Sequence, residues 1–202
     1  MGYHRAGFEV VGVDCQPQPR YPFEFHQADA FDYLEQHGHE FDVIHASPPC
    51  QAYSVSTAHP EQHPDYVGQV REALTQLGTP WVIENVEGAP LHFPITLCGT
   101  MFGLQAEGLH LRRHRLFESP WLVLGPGGCT CAGVETGQVT GHLSQNEEYT
   151  KGHRKPSYAR AQRMMGIDWM DKVTLVEAIP PAYTFWIGQR LMAALDIPAE
   201  GV

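Results

Sequence analysis

The sequence predicts an α/β protein built on a mostly parallel sheet with helices on both faces. Three observations carry this expectation. Short runs rich in Val, Ile and Phe alternate with helical stretches through the first ninety or so residues. Several of those runs end in an acid, a thiol or a Glu–Asn pair. A Gly-, Ser- and Thr-rich segment without helical period then interrupts the pattern near residue 118, before helical sequence resumes.

Taken in order, "FEVVGVD" (8–14) reads as a strand ending at Asp14, and "FEFHQAD" (23–29) as a second ending at Asp29. "AFDYLEQHG" (30–38) is helical, and "FDVIHAS" (41–47) is a third strand that runs into the loop "PPCQAYS". The helix "DYVGQVREALTQLG" (65–78) and the strand "PWVIENV" (80–86) follow. Strand, helix and strand at this spacing favour parallel pairing, and ligands collect outside the carboxyl ends of such strands. Asp14, Asp29, Cys50 and Glu84-Asn85 all fall on that rim. The segment 118–155 reads as an irregular, loop-dominated insertion. "SYARAQRMMGI" (157–167) and "PPAYTFWIGQRLMAAL" (180–195) return to helix, the latter with Pro in its first turn.

With 202 residues and 43% hydrophobic composition, the chain suits one domain with a small insertion. No run approaches the roughly 18 apolar residues of a membrane span, and "MGYHRAGFEV" lacks the apolar core of a signal peptide, so a cytoplasmic location away from membranes is expected. Five cysteines at irregular spacing are no disulfide framework. The net charge of −10 argues against an indiscriminate nucleic-acid binder, yet residues 112–163 carry +4. That segment is either a phosphate-facing surface or a solvated one.

Cys50, directly after Pro48-Pro49, is either a packed thiol or a nucleophile whose direction the prolines fix. Glu84, at a strand end, is either a solvated cap or a proton donor. Cys129-Thr130-Cys131, with His142 and His153 downstream, invites a zinc reading, but structural sites usually space paired cysteines more widely. The pair is therefore read as two thiols and no metal is assigned. His45 and His114 are read as hydrogen-bonding or phosphate-contact residues.

Four motifs, in this order, resemble those of the cytosine-5 DNA methyltransferases. Pro49-Cys50-Gln51-Ala52-Tyr53-Ser54 matches the family's Pro-Cys-Gln motif with its following aromatic residue and Ser. Glu84-Asn85-Val86 matches its Glu-Asn-Val motif. Leu111-Arg112-Arg113-His114-Arg115 matches Gln-x-Arg-x-Arg in part, with Leu111 in place of Gln. Glu177-Ala178-Ile179-Pro180-Pro181 stands for Asn-Ala-Val-Pro-Pro, with Glu177 in place of Asn. The resemblance spans nearly the whole chain and is greatest to the compact phage-type members, whose target-recognition region is short.

The resemblance implies a Rossmann-like methyltransferase fold, with a catalytic core at 1–117, a small target-recognition insertion at 118–155 and a helical return at 156–202. Cys50 would add to C6 of a cytosine flipped out of double-stranded DNA. Glu84 would hold or protonate N3, and Arg113 and Arg115 would grip the base carbonyl or nearby backbone. S-adenosylmethionine would supply the methyl group for C5. Asp14 would take its ribose hydroxyls and Asp29 its adenine amine, with Cys15, Ala30 and Pro48 lining the same pocket. Each acid also has the plainer role of capping a turn. Gln51, Ser54, Asn85, Arg112, Lys151, Arg154 and Lys155 would face the DNA, and a monomer is expected.

The family opens with a strand and a glycine loop that would stand immediately before Met1, so a truncated start is expected. A chain beginning at Met1 is expected to bind the cofactor weakly or not at all. "WLVLGPGGC" (121–129) imitates that loop, but its place in the insertion reads as a simple turn. Two other functions stay open: a non-catalytic DNA-binding or regulatory remnant of this family, and a folate-dependent transferase that also adds a Cys to pyrimidine C6. A one-carbon group other than methyl would need the same Cys50 and Glu84.

Overall fold

A computed structural model describes residues 1–55, 57–121, 125–150 and 153–195. The chain is α/β, with mixed sheets and several helices. β1 (Val11–Asp14) and β2 (Glu24–Gln27) pair in parallel, with Asp14 opposite Gln27. The connection between them holds no helix. It folds back over the pair, and the Tyr21 ring takes the space a Cβ on Gly12 would occupy. α2 (Ala30–His37) follows, capped by Asp29.

A four-stranded sheet runs in the order β3 (Ile44–Ala46), β4 (Trp81–Asn85), β8 (Arg115–Glu118), β5 (Ile95–Leu97). β3 and β4 are parallel, whereas β8 lies antiparallel to both its neighbours. α3 (Val67–Leu77) connects β3 to β4 and ends at Gly78, whose φ of 78° suits a left-handed helix stop. Val82, Leu97 and Phe117 pack against Tyr183, Ile187 and Leu191 of α5 (Pro181–Ala194). Arg71 of α3 reaches Glu118, the neighbour of Phe117 that points to the other side. Helices therefore cover both faces of this sheet. α1 (Gly2–Arg5) lies directly on α5, where a Cβ on Gly188 would come within 2.7 Å of the Ala6 Cβ.

The second core is separate. β6 (Gln105–Ala106), β7 (Leu109–Leu111), β9 (Thr136–Gly137), β10 (Glu148–Thr150) and β11 (His153–Lys155) form a sheet in the order β10-β11-β9-β7-β6. Leu109, Leu111, Val139 and Leu143 pack there with Ala161, Met164 and Met165 of α4 (Tyr158–Met165).

Two expectations differ from this architecture. The single mostly parallel sheet is replaced by three sheets, a parallel pair and two of mixed pairing; the chain reverses through a 3₁₀ turn at Gly99–Phe102 and the β6–β7 hairpin before β8 inserts antiparallel. The segment 118–155 is also not wholly irregular. Its β9 pairs in parallel with β7, so this sheet spans the boundary expected at residue 117. Among the described residues no helix is long and apolar enough to cross a membrane.

Candidate functional site

The rim where β3 and β4 end gathers the residues with the most distinctive chemistry. Glu84, on β4, is only 7% exposed. It lies opposite Phe117 in the antiparallel ladder, so Arg115, two residues earlier on β8, shares its face. Arg115 Nε stands 3.1 Å from Glu84 Oε1. Ser47, at the end of β3, also hydrogen-bonds the carboxylate. Burial raises the Glu84 pKa above the ordinary carboxyl range, and Arg115, Ser47 and Arg113 act against that rise.

Behind Ser47 a polar chain runs inward. His45 Nε2 lies 3.2 Å from Ser47 Oγ, and His45 Nδ1 lies 2.6 Å from the Tyr3 hydroxyl. Burial lowers the His45 pKa to about 4, so the imidazole is neutral at physiological pH. His45 thus takes the hydrogen-bonding role expected of it.

Asn85 joins the two strand ends. Its Nδ2 donates to the Pro48 carbonyl at 2.9 Å, and its Oδ1 accepts from the Val86 amide at 2.9 Å. Asn85 was expected at a DNA-facing position, but at 1% exposure it is an internal brace. Pro48 is buried, whereas Cys50 is half-buried. The Cys50 carbonyl accepts from the amides of Tyr53 and Ser54, which makes residues 50–54 a tight turn. The Tyr53 hydroxyl donates to Asp65 at the start of α3, and burial together with that bond pushes Tyr53 up to about 12. Gly88, with φ of 99°, brings the loop after Val86 against the Tyr53 carbonyl. Gln51 is exposed beside the turn and Ser54 is half-buried.

The two arginines of the Leu111–Arg115 motif have different places. Arg113 is 3% exposed and donates to the carbonyls of Val139, at 2.6 Å, and Val176, at 2.7 Å. Its own carbonyl accepts from the Tyr183 hydroxyl at 2.7 Å. It therefore clamps the second core to α5 and is not free to grip a base, as was expected of it together with Arg115. Burial, with Arg115 alongside, lowers Arg113 to about 9, so it remains a cation at neutral pH. Glu84, Tyr183 and Cys50 act in the opposite direction.

Of the residues expected to hold a cofactor, Asp14, Cys15, Asp29 and Ala30 lie at the ends of the separate β1–β2 pair, whereas Pro48 lies past β3, beside Asn85. Asp14 accepts from the Gln16 amide at 2.8 Å and from Gln18 Nε2 at 3.2 Å. Asp29 Oδ1 accepts from the Phe31 and Asp32 amides at 2.9 and 3.2 Å. Both acids thus fill the turn- or helix-capping role. Cys15 and Ala30 are exposed next to them.

The basic segment is largely self-neutralised. Arg154 pairs with Glu135 and Glu147, while Arg160 and Arg163 pair with Glu107, which precedes the segment in sequence. Arg112 and Lys155 are half-buried and enter no ion pair among the described residues. Lys151 lies outside the described residues.

The thiols of 118–155 have unexpected neighbours. Cys129 and Cys131 meet Cys98, at the end of β5, and His114, between the two arginines, in place of His142 and His153. Sequence reading missed Cys98 and His114 because neither is near the pair along the chain. The loop ending at Cys129 is held at this cluster through Thr100. No protein-family model matches the chain, and comparison with curated proteins finds no match.

Proposed function

We propose that this protein is a cytosine-5 DNA methyltransferase with a Rossmann-like methyltransferase core, acting on a flipped-out cytosine in double-stranded DNA. The observation that carries the reading is the Glu84–Arg115 pair, held beside a Cys50 turn that Asn85 ties to the same strand end.

On this reading Cys50, as thiolate, adds to C6 of the cytosine. Electron density moves toward N3, and Glu84, whose burial favours the protonated form, delivers a proton there. The ring then carries its electron density at C5. Arg115 holds the Glu84 carboxyl in place before transfer and stabilises the carboxylate after it. Asn85 and the Tyr53–Asp65 bond keep the Cys50 turn from drifting. Loss of the C5 proton to water, return of the N3 proton to Glu84 and expulsion of the Cys50 thiolate restore aromaticity.

S-adenosylmethionine fits the donor set in one respect. Asp14 and Asp29 stand together at the carboxyl end of a parallel pair, and ionised carboxylates only accept hydrogen bonds, as ribose hydroxyls and an adenine amine require. When bound, it supplies an electrophilic methyl group for C5.

The test is transfer of radiolabelled methyl from S-adenosylmethionine to double-stranded DNA by the full chain. Incorporation at cytosine C5, lost in Cys50→Ala with unchanged circular dichroism, supports the reading. Undiminished incorporation by Cys50→Ala overturns it.

A further inference from the structure

We infer that Cys98, His114, Cys129 and Cys131 form a structural zinc site. Their ligand atoms, one from each residue, all lie within 4.8 Å of one another. A tetrahedral zinc with ordinary Zn–S and Zn–N bonds sets its sulfurs about 3.8 Å apart and its sulfur–nitrogen pairs about 3.5 Å apart. His114 Nε2 lies 3.4 Å from Cys129 Sγ and 3.5 Å from Cys131 Sγ. The Cys129 and Cys131 sulfurs are 3.1 Å apart, closer than the metal-bound spacing but well beyond a disulfide bond, and both are free thiols.

The surroundings are those of a ligating shell. His114 Nδ1 lies 3.1 Å from Glu87 Oε1, which makes Nδ1 the protonated nitrogen and leaves the Nε2 lone pair directed at the sulfurs. The Cys131 amide donates to Cys129 Sγ at 3.5 Å, and the Thr100 hydroxyl lies 3.5 Å from both Cys98 Sγ and Cys129 Sγ. Cys98 is fully buried at the base of the site. It reaches that place because Gly99 passes close to β7, where a Cβ would come within 2.4 Å of the Leu111 carbonyl.

Three thiolates and a neutral imidazole select a soft-to-borderline tetrahedral ion over magnesium or calcium, which take oxygen ligands. With four protein ligands the site is closed, so its role is structural. The four come from three segments: the end of β5, the residue before β8, and the loop that follows β8. Zinc there pins the 129–131 loop beside the link carrying Arg113 and Arg115. Binding converts three thiols to thiolates and releases three protons to solvent, with no change of oxidation state.

The experiment uses the full chain, purified without chelator. Metal content by mass spectrometry is expected at about one zinc per chain. Cys129→Ser and Cys131→Ser lose that zinc, and Cys15→Ser, outside the cluster, keeps it. Titration of metal-depleted wild-type protein with cobalt(II) chloride is expected to give thiolate charge-transfer bands and intense tetrahedral ligand-field bands. If the serine variants do not fold, the wild-type cobalt spectrum decides alone. The inference is overturned if folded wild-type protein takes up neither zinc nor cobalt. Retention of zinc by both serine variants, a weak octahedral cobalt spectrum, or a Cys129–Cys131 disulfide in freshly reduced protein would overturn it equally.

Discussion

Asn85 Nδ2 donates to the Pro48 carbonyl at 2.9 Å, and this bond sets the position of the Cys50 turn relative to Glu84 on the neighbouring residue of β4. Both ends of the bond are buried, so neither group can turn to water in its place. Asn85→Ala leaves the Pro48 carbonyl and the Val86 amide without their partner, at a cost of about 1–3 kcal/mol. Urea unfolding of the two proteins measures that difference. An unchanged midpoint would mean that the brace contributes nothing.

Glu84 and Arg115 form a nearly buried pair, which is costly to break from one side. Arg115→Ala leaves the Glu84 carboxyl group without its partner in a dry site and is expected to destabilise the fold by about 3 kcal/mol. Glu84→Gln, combined with it, recovers part of that loss, because the remaining group is neutral. A double-mutant cycle in urea gives the coupling directly.

Methyl transfer has its own pH signature on this account. Glu84 acts in its protonated form, and its pKa lies above the ordinary carboxyl range. The rate is therefore expected to fall as pH rises through that pKa, and Glu84→Gln to lower it roughly 10²–10³-fold with the Glu84-dependent limb gone. A Glu84→Gln enzyme with the wild-type pH–rate profile would remove Glu84 from the proton-transfer role.

His45 links stability to acid. Its folded pKa of about 4 lies below that of an exposed imidazole, about 6.5. Below pH 6.5 the unfolded chain binds a proton that the folded protein refuses, so stability is complete above that pH and declines toward pH 4. The expected loss is about 3 kcal/mol, read from the fall in urea midpoint between pH 7 and pH 4. His45→Gln should flatten that part of the curve.

Arg71 binds Glu118 through Nε at 2.6 Å and through the second nitrogen at 2.7 Å, while the His92 amide donates to the same carboxylate. This fork fixes α3 and the loop after Val86. Arg71→Lys keeps the charge but cannot reproduce the fork, so it is expected to cost about 1–2 kcal/mol in thermal or urea unfolding.

The strand runs were legible because each has an apolar core and ends at a polar residue, and α3 was legible because Gly78 stops it. What the sequence could not disclose depends on contacts across the chain. β8 is only four residues long, so nothing local reveals that it inserts antiparallel between β4 and β5. The basic character of 112–163 appeared open to phosphate because Glu107, partner to Arg160 and Arg163, lies outside that window. Arg113 and Arg115 have the same local pattern, and only Val139, Val176 and Glu84 separate a clamp from a site residue. Asp14 and Asp29 sit at the expected strand ends, with local capping contacts that a strand-end position alone does not specify.

The most direct measurement is covalent capture on DNA carrying 5-fluorocytosine, whose C5–fluorine bond blocks release of the attached thiol once C5 has been methylated. With S-adenosylmethionine present, the full chain is expected to form a denaturant-resistant complex, and peptide mass spectrometry to place the bond on Cys50. A complex linked through another cysteine, or one that persists in Cys50→Ala, would contradict the account, as would no complex from a chain that binds both S-adenosylmethionine and the DNA.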